Sequence, residues 1–461
     1  MLEAFTYFIL GFVILMEAHM IVIGFLSLRS LRRDRLVARF GRIDELLSSD
    51  LLPPVSIIVP AFNEAAGIVD SIRSMSMLRY PRFEIIVVND GSQDDTLERL
   101  RVGFRLSEVT VPFRREIATA EVRGIHRSTL PLPIIVVDKE NGGKTDALNA
   151  GINVAKFPYV LLTDADVVFD GECLLRAMRH VVEDRDRVVA VGGNIRPING
   201  SKVNRGRVVE THMPRNMLER MQVLEYIRSF IGARPGWSMV NGLLLISGAF
   251  GIYRRDVMAA VGGFRKGHLG EDLDLTMRLH EHMRDSGADY RIVYAPDAVC
   301  WTEVPTTFSV LRKQRIRWHR GLAMVLADFK YMLFNPRYGA VGLAAWPSFF
   351  LFEYVAPIVE IVGWVVLPLA LFTGNLDAAV AVPLLLFAIL LGAIKSLIGL
   401  FMDESYGYFT SPLDAMRLVT LAFVENLGFR QRTVVWRITS LFMGNKPPEW
   451  GDMKRRGVAN V

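Results

Sequence analysis

The stretch Tyr159-Val160-Leu161-Leu162-Thr163-Asp164-Ala165-Asp166 runs from a continuous apolar segment directly into two carboxylates. A short apolar run closed by polar residues reads as a buried strand, and the two aspartates offer their carboxylates on one side of the extended segment that ends it. The same pattern recurs on either side. Val55-Ser56-Ile57-Ile58-Val59 ends in Pro60-Ala61-Phe62-Asn63-Glu64, Glu84-Ile85-Ile86-Val87-Val88 in Asn89-Asp90-Gly91-Ser92, Ile134 to Val137 in Asp138, and Val188 to Val191 in Gly192-Gly193. Helical patterns separate these runs, which predicts an α/β domain built on a mostly parallel sheet. Ligands bind beyond the carboxyl ends of the strands in that architecture, where Asp90, Asp164 and Asp166 fall.

Paired hard oxygen ligands suit Mg2+ or Mn2+ bridging a diphosphate, although a solvated loop would carry the same two aspartates. Lys144 is a candidate phosphate contact and Asp90 a candidate nucleotide contact. Asn141-Gly142-Gly143-Lys144-Thr145 has the end of a phosphate loop, but Asp138 stands where the opening glycine belongs, so the Walker pattern fails. No G-x-G-x-x-G follows the first strand either, which excludes the dinucleotide fingerprint there.

Further on, Ser247-Gly248-Ala249-Phe250-Gly251 precedes a polar helix from Arg254, and Gly262-Gly263-Phe264 leads to Gly270-Glu271-Asp272-Leu273-Asp274. One of these carboxylates is a candidate general base. The same residues also read as a helix start, because Glu271, Asp272 and Asp274 complement the dipole of a helix through Met277 and Leu279.

A mean hydropathy of +0.28 with 51% hydrophobic residues in 461 is high for a wholly water-soluble protein, so part of the chain is expected in lipid. Phe5 to Leu28, Ala345 to Phe372 and Ala378 to Phe401 each have about the 20 apolar residues a span needs. The stretch from Met416 to Leu427 is shorter and carries Arg417 and Glu425, and is read as non-spanning. Arg29, Arg32, Arg33, Arg35, Arg39 and Arg42 follow the first span, which places the polar domain in the cytoplasm by the positive-inside rule. Met1-Leu2-Glu3-Ala4 lacks the basic start of a cleaved signal. Glu17 and His19, inside the first span, are expected to face a polar cavity or a partner subunit, to satisfy one another, or to sit near the headgroups.

The net charge of +6 arises from basic clusters bordering the apolar segments, a pattern that fits anionic headgroups and not nucleic acid. Cys173 and Cys300 are the only cysteines, too few for a disulfide framework. Gln314-Arg315-Ile316-Arg317-Trp318-His319-Arg320-Gly321 puts Gln314, Arg317 and Trp318 at i, i+3 and i+4, one face of a helix. Composition alone would make that a membrane-surface helix.

Taken together these motifs resemble the processive membrane glycosyltransferases of family 2, among them cellulose, hyaluronan and poly-N-acetylglucosamine synthases. The resemblance rests on Pro60 to Glu64, Asn89 to Ser92, Asn141 to Gly151, Asp164 to Asp166, Gly270 to Asp272 and Gln314 to Trp318 in family order, and extends to Trp450-Gly451. It implies a cytoplasmic GT-A-like domain flanked by transmembrane and interfacial helices at the plasma membrane. The expected boundaries are a transmembrane helix (1–28), a basic linker (29–52), the transferase domain (53–308), interfacial helices with Q-x-x-R-W (309–344), membrane helices (345–430) and a basic tail (431–461).

By the same resemblance Glu64 and Asp90 would hold the uracil-ribose side of a UDP-sugar, Lys144 would contact phosphate, and Asp164 with Asp166 would position Mg2+ or Mn2+ and the diphosphate. Asp272 beside Glu271 would be the general base of an inverting displacement, and Gln314, Arg317 and Trp318 would meet the leaving diphosphate and the acceptor polysaccharide. N-acetylglucosamine is the favoured sugar and glucose the next. Transfer of one sugar to a lipid phosphate, or a non-catalytic sugar-nucleotide-binding scaffold, are the alternatives, and an accessory export subunit is compatible with the pattern. Gly270 stands where the family usually has Thr, and residues 101–133 form a long insertion.

Overall fold

The computed structural model of the protein describes residues 2–40, 47, 51–204, 206–404, 406 and 411–443. The expectations for Arg42 and for the tail from Lys446 through Trp450, Gly451 and Arg456 lie outside the described residues. The chain divides into two compact units, one of Arg33–His212 with Leu243–Val304, the other drawing on Met1–Arg32, Met213–Gly242 and Pro305–Met453.

The first unit is built on a ten-stranded sheet. Its strands are β1 (Val55–Ala61), β2 (Phe83–Asp90), β3 (Leu106–Glu108), β4 (Val122–Ser128), β5 (Ile134–Lys139), β6 (Tyr159–Leu162), β7 (Val168–Phe169), β8 (Val188–Pro197), β11 (Gly251–Arg254) and β12 (Arg291–Thr302), while β9 (Lys202–Asn204) and β10 (Arg207–Glu210) form a separate hairpin. The order is β3-β4-β5-β2-β1-β6-β11-β8-β12-β7. The block β5-β2-β1-β6 is parallel throughout, as is the β8–β12 pair. β11 runs antiparallel between β6 and β8, and β3, β4 and β7 are antiparallel additions. The five strands expected from the apolar runs are present. Ile57, Ile58, Val59, Ile85, Ile86, Val87 and Val88 are fully buried, as a parallel sheet covered on both faces requires.

The helix Lys144–Val154 lies close on this block, since a Cβ at Gly151 would come within 2.3 Å of Ile58 Cγ2. A side chain there would push helix and strand apart. The insertion at 101–133 supplies β3 and β4, and the segment between them docks on the same helix. Asn153 Nδ2 donates to the Ile117 carbonyl at 2.7 Å, the Ile117 amide donates back to Asn153 Oδ1 at 3.1 Å, and Arg255 pairs with Glu116 at 2.8 Å.

The second unit is helical. It includes the 39-residue helix Leu2–Phe40, the 27-residue helix Ala378–Glu404, and a run from Val341 to Phe372 in which α-helical turns alternate with π-helical ones around Pro347 and Pro357. Gly11–Arg35 and Val341–Phe372 are long and apolar enough to cross a membrane by length and composition. The helix Pro412–Val424 has 13 residues, short of the roughly 20 that a span needs. Within the stretch 53–308, the segment Met213–Gly242 belongs to this helical unit. Met221, Leu224 and Ile227 pack there with Leu418, Leu421 and Ala422.

Three carboxylates of the helical unit have basic partners. Glu17 accepts from Lys395 Nζ at 2.8 Å, Glu425 from Arg228 at 2.5 Å and Ser396 Oγ at 2.6 Å, and Glu360 from Arg430 at 2.9 Å. The His19 ring stacks on Phe352 with centroids 4.8 Å apart. Each of these carboxylates thus shares its site with a group of opposite sign.

Candidate active site

Asp90, Lys139 and Asp164 lie at or just past the carboxyl ends of β2, β5 and β6. Two loops there are stitched together: Asn63 Oδ1 accepts from the Gln93 amide at 2.8 Å, the Asn63 amide donates to Ser92 Oγ at 3.0 Å, and the Glu64 amide to Thr96 Oγ1 at 2.9 Å. Glu64 is therefore held at the rim by its backbone.

Asp90, at the end of β2, is buried and hydrogen-bonded within the first unit. Its Oδ1 accepts from Lys139 Nζ at 2.6 Å and from the Gly142 amide at 3.0 Å, and its Oδ2 from the Gly143 amide at 2.8 Å. Only 3% of Asp90 is exposed. Parallel pairing of β2 with β5 sets Asp90 opposite Lys139, which puts a fully buried ammonium beside the carboxylate. The carboxylate thus shapes the loop that delivers Lys144, a role its position in the sequence did not reveal.

Lys144 opens the helix Lys144–Val154, and its Nζ lies 2.5 Å from Asp164 Oδ1 just past β6. Burial by itself would lower the pKa of this ammonium, but Asp164, Glu271 and Asp272 outweigh it and hold the value above the ordinary lysine range. Asp166 is partly exposed next to buried Ala165. The buried Cys300 thiol is raised well above its usual range by burial first, then by Cys173, Asp164 and Asp166. Both cysteines are free and buried.

Glu271 and Asp272 form the first turn of the helix Glu271–Asp285, so the helix-start reading holds and does not exclude the chemical one. Asp272 Oδ2 accepts the Gly248 amide at 2.8 Å. Burial, then the neighbouring Glu271 carboxylate, raises Asp272 to about 7, with Lys144 and the Gly248 amide pulling the other way. A carboxylate whose conjugate acid ionises near neutrality is suited to accept a proton at working pH. Lys144, Asp164, Glu271 and Asp272, spread over more than a hundred residues of chain, thus act on one another electrostatically.

Gly248 is a site residue that motif reading passed over. A Cβ there would sit 2.7 Å from Asp272 Oδ1, so the close approach of backbone to carboxylate requires glycine. The adjacent small residues Ser247-Gly248-Ala249 were the available signal.

Gln314, Arg317 and Trp318 lie on the helix Phe308–Asp328 of the other unit. Trp318 is 42% exposed, with the Arg315 guanidinium 4.5 Å from its ring centroid, and Arg315 is fixed by Glu225 at 2.7 Å. This cation–π contact restrains the indole while leaving much of it open.

The chain is 31% identical over 281 residues to the poly-beta-1,6-N-acetyl-D-glucosamine synthase of Staphylococcus epidermidis, covering 60% of this chain and 56% of that protein. It is 29% identical over 286 residues to the Staphylococcus aureus protein of the same name, covering 61% and 58%. The matched region thus spans little more than half the length of these curated relatives. Among solved structures, the mannosyltransferase PcManGT from Pyrobaculum calidifontis, in complex with GDP-Man and Mn2+, superposes with a TM-score of 0.51 at 20% identity, over 90% of this chain and 99% of that one, a likeness of fold. The family model described as glycosyltransferase like family 2 matches residues 53–321, more than half of the chain. With a GT-A-like sheet carrying its acidic groups at the expected strand ends, the chain belongs to glycosyltransferase family 2.

Proposed function

We propose that the protein is an inverting, processive membrane glycosyltransferase that moves N-acetylglucosamine from UDP-N-acetylglucosamine onto a growing polysaccharide and assists its export. The observation that carries this reading is the convergence of Lys144, Asp164, Glu271 and Asp272, with Asp272 raised to about 7. The choice of sugar and of a polymeric product rests on the two staphylococcal relatives.

In this reading Asp272, ionised, takes the proton of the acceptor hydroxyl as its oxygen attacks the anomeric carbon. The bond from that carbon to the diphosphate oxygen breaks, UDP departs, and the configuration inverts. One base suffices for a single displacement. Lys144 offsets charge on the diphosphate. Asp164 already binds a cationic group, and with Asp166 it offers the hard oxygen donors that Mg2+ or Mn2+ prefers, so the residues fit a divalent ion. Such an ion would supply further compensation for charge on the leaving group. Glu64 and Asp90 are assigned to the nucleoside side, and Gln314, Arg317 and Trp318 to the diphosphate and acceptor, on their motifs alone. The catalytic unit is assigned to the cytoplasmic side of the plasma membrane, with the apolar helices in the bilayer.

The test is a panel of labelled UDP-sugars supplied to membranes containing the protein with Mg2+ or Mn2+, product size being read, and Asp272→Asn as control. A polymer from UDP-N-acetylglucosamine, absent in the control, is expected. Products of one or two sugars would overturn processivity, and no transfer from any donor would overturn the enzymatic reading.

A further inference from the structure

The loop between Gly262 and Gly270 carries the chain into Glu271 and Asp272, and three of its glycines, Gly262, Gly263 and Gly267, have positive φ of 78°, 65° and 77°. Such backbone is loosely restrained by its own sterics, so whatever fixes the loop also fixes the carboxylate that follows. Its attachments to the helix Lys144–Val154 are specific. Asn149 Nδ2 donates to the Phe264 carbonyl at 2.9 Å and Asn149 Oδ1 accepts the Phe264 amide at 2.8 Å. Lys266 Nζ meets Asp146 Oδ2 at 2.6 Å. Asp146 and Asn149 are three residues apart and so share a helix face.

Asp146 is itself firmly held. It is fully buried, its Oδ1 lies 2.7 Å from Lys139 Nζ, and both oxygens accept the Ala120 amide at 3.1 Å. Burial would raise its pKa, but the bonds from Lys139, Lys266 and Ala120 prevail and keep it below the usual carboxylate range. Its helix begins at Lys144, while Lys139 also anchors Asp90. One helix therefore carries the diphosphate lysine at its first residue and grips the loop of the base two residues later.

We infer that Asp146 and Lys266 are positioning residues that tie the Asp272 loop to the donor-binding helix, so that the base is held in register with the bound donor. The inference rests on the transferase reading above. It assigns Lys266 no contact with either substrate: its loss should lower turnover and leave donor binding intact. Lys266 is largely exposed apart from this pairing, so its removal should spare the fold.

The full chain in lipid nanodiscs would be compared as wild type, Lys266→Met and Lys266→Arg, by kinetics and by hydrogen–deuterium exchange of the segment 263–275. Lys266→Met is expected to lower kcat about tenfold with the donor KM within about twofold of wild type. The same segment should exchange faster, and Lys266→Arg should restore both readings because it keeps the charge. Unchanged kcat with unchanged exchange would overturn the inference, and so would a raised donor KM at constant kcat, which would make Lys266 a substrate contact. Should the wild type transfer no sugar, the function fails, and the exchange rates alone decide whether Lys266 pins the loop.

Discussion

The Gly248 amide donates to Asp272 Oδ2 at 2.8 Å, and the missing side chain of that glycine leaves the space which Asp272 Oδ1 fills. A single backbone position thus both orients the carboxylate and stabilises its charged form, although other forces still leave its pKa raised.

Gly248→Ala would therefore push the carboxylate aside. A displacement of about 1 Å at a reacting group can cost on the order of 100-fold in rate. We expect kcat to fall by about 10- to 100-fold, with UDP binding by calorimetry and the melting temperature nearly unchanged. Retention of full kcat would show that Asp272 is not the base.

The pH profile offers a separate check. With Asp272 at about 7, kcat/KM should rise with pH up to about 7 and fall tenfold per unit below it. The sign for stability is opposite. A carboxyl whose folded pKa exceeds its unfolded value of about 3.9 stabilises the fold fully below that value, and the contribution is lost as pH rises to about 7. Asp272→Asn should accordingly gain in melting temperature relative to wild type between pH 4 and pH 8.

Lys144→Met removes a cation that lowers the pKa of Asp272. The acid limb of the pH profile should move to higher pH, and the donor KM should rise by about tenfold as a charge-assisted phosphate contact is lost. A rise in KM without movement of the limb would separate Lys144 from the base.

Asp90→Asn strips the buried Lys139 of one of its two carboxylate partners and weakens the cradle for Gly142 and Gly143. Breaking a buried pair from one side typically costs about 3–5 kcal/mol. A melting temperature lowered by several degrees in the absence of any nucleotide is expected. A purely nucleotide-binding Asp90 would leave that temperature unchanged.

Much of this molecule is legible from local pattern. Apolar runs ending in Glu64, Asp90, Asp138 and Asp164 announced strands of a parallel sheet, because burial on both faces leaves few polar choices between strand ends. The family motifs pointed to Lys144, Asp164 and Asp272, and i, i+3, i+4 spacing put Gln314, Arg317 and Trp318 on one helix. β11 was not foreseen: Gly251–Arg254 is a four-residue strand whose antiparallel place between β6 and β8 depends on partners about 60 to 95 residues away. Nor did the chain reveal that Met213–Gly242 packs with the distant helix Pro412–Val424, since its apolar spacing shows that it has a buried face but not what covers it.

The sequence by itself determined five of the strands, two of the apolar helices long enough for a bilayer, and which side chains are chemically able to serve a sugar nucleotide; periodicity and residue type are properties of neighbours along the chain. Only the tertiary structure decided that the Asp90 carboxylate turns inward to Lys139, that Gly248 shapes the seat of Asp272, and that Asp146 joins Lys139 to Lys266. Burial, pKa and hydrogen-bond partners depend on distances through space, and the same aspartate is a ligand, a base or a brace according to what the fold sets within about 3 Å of it.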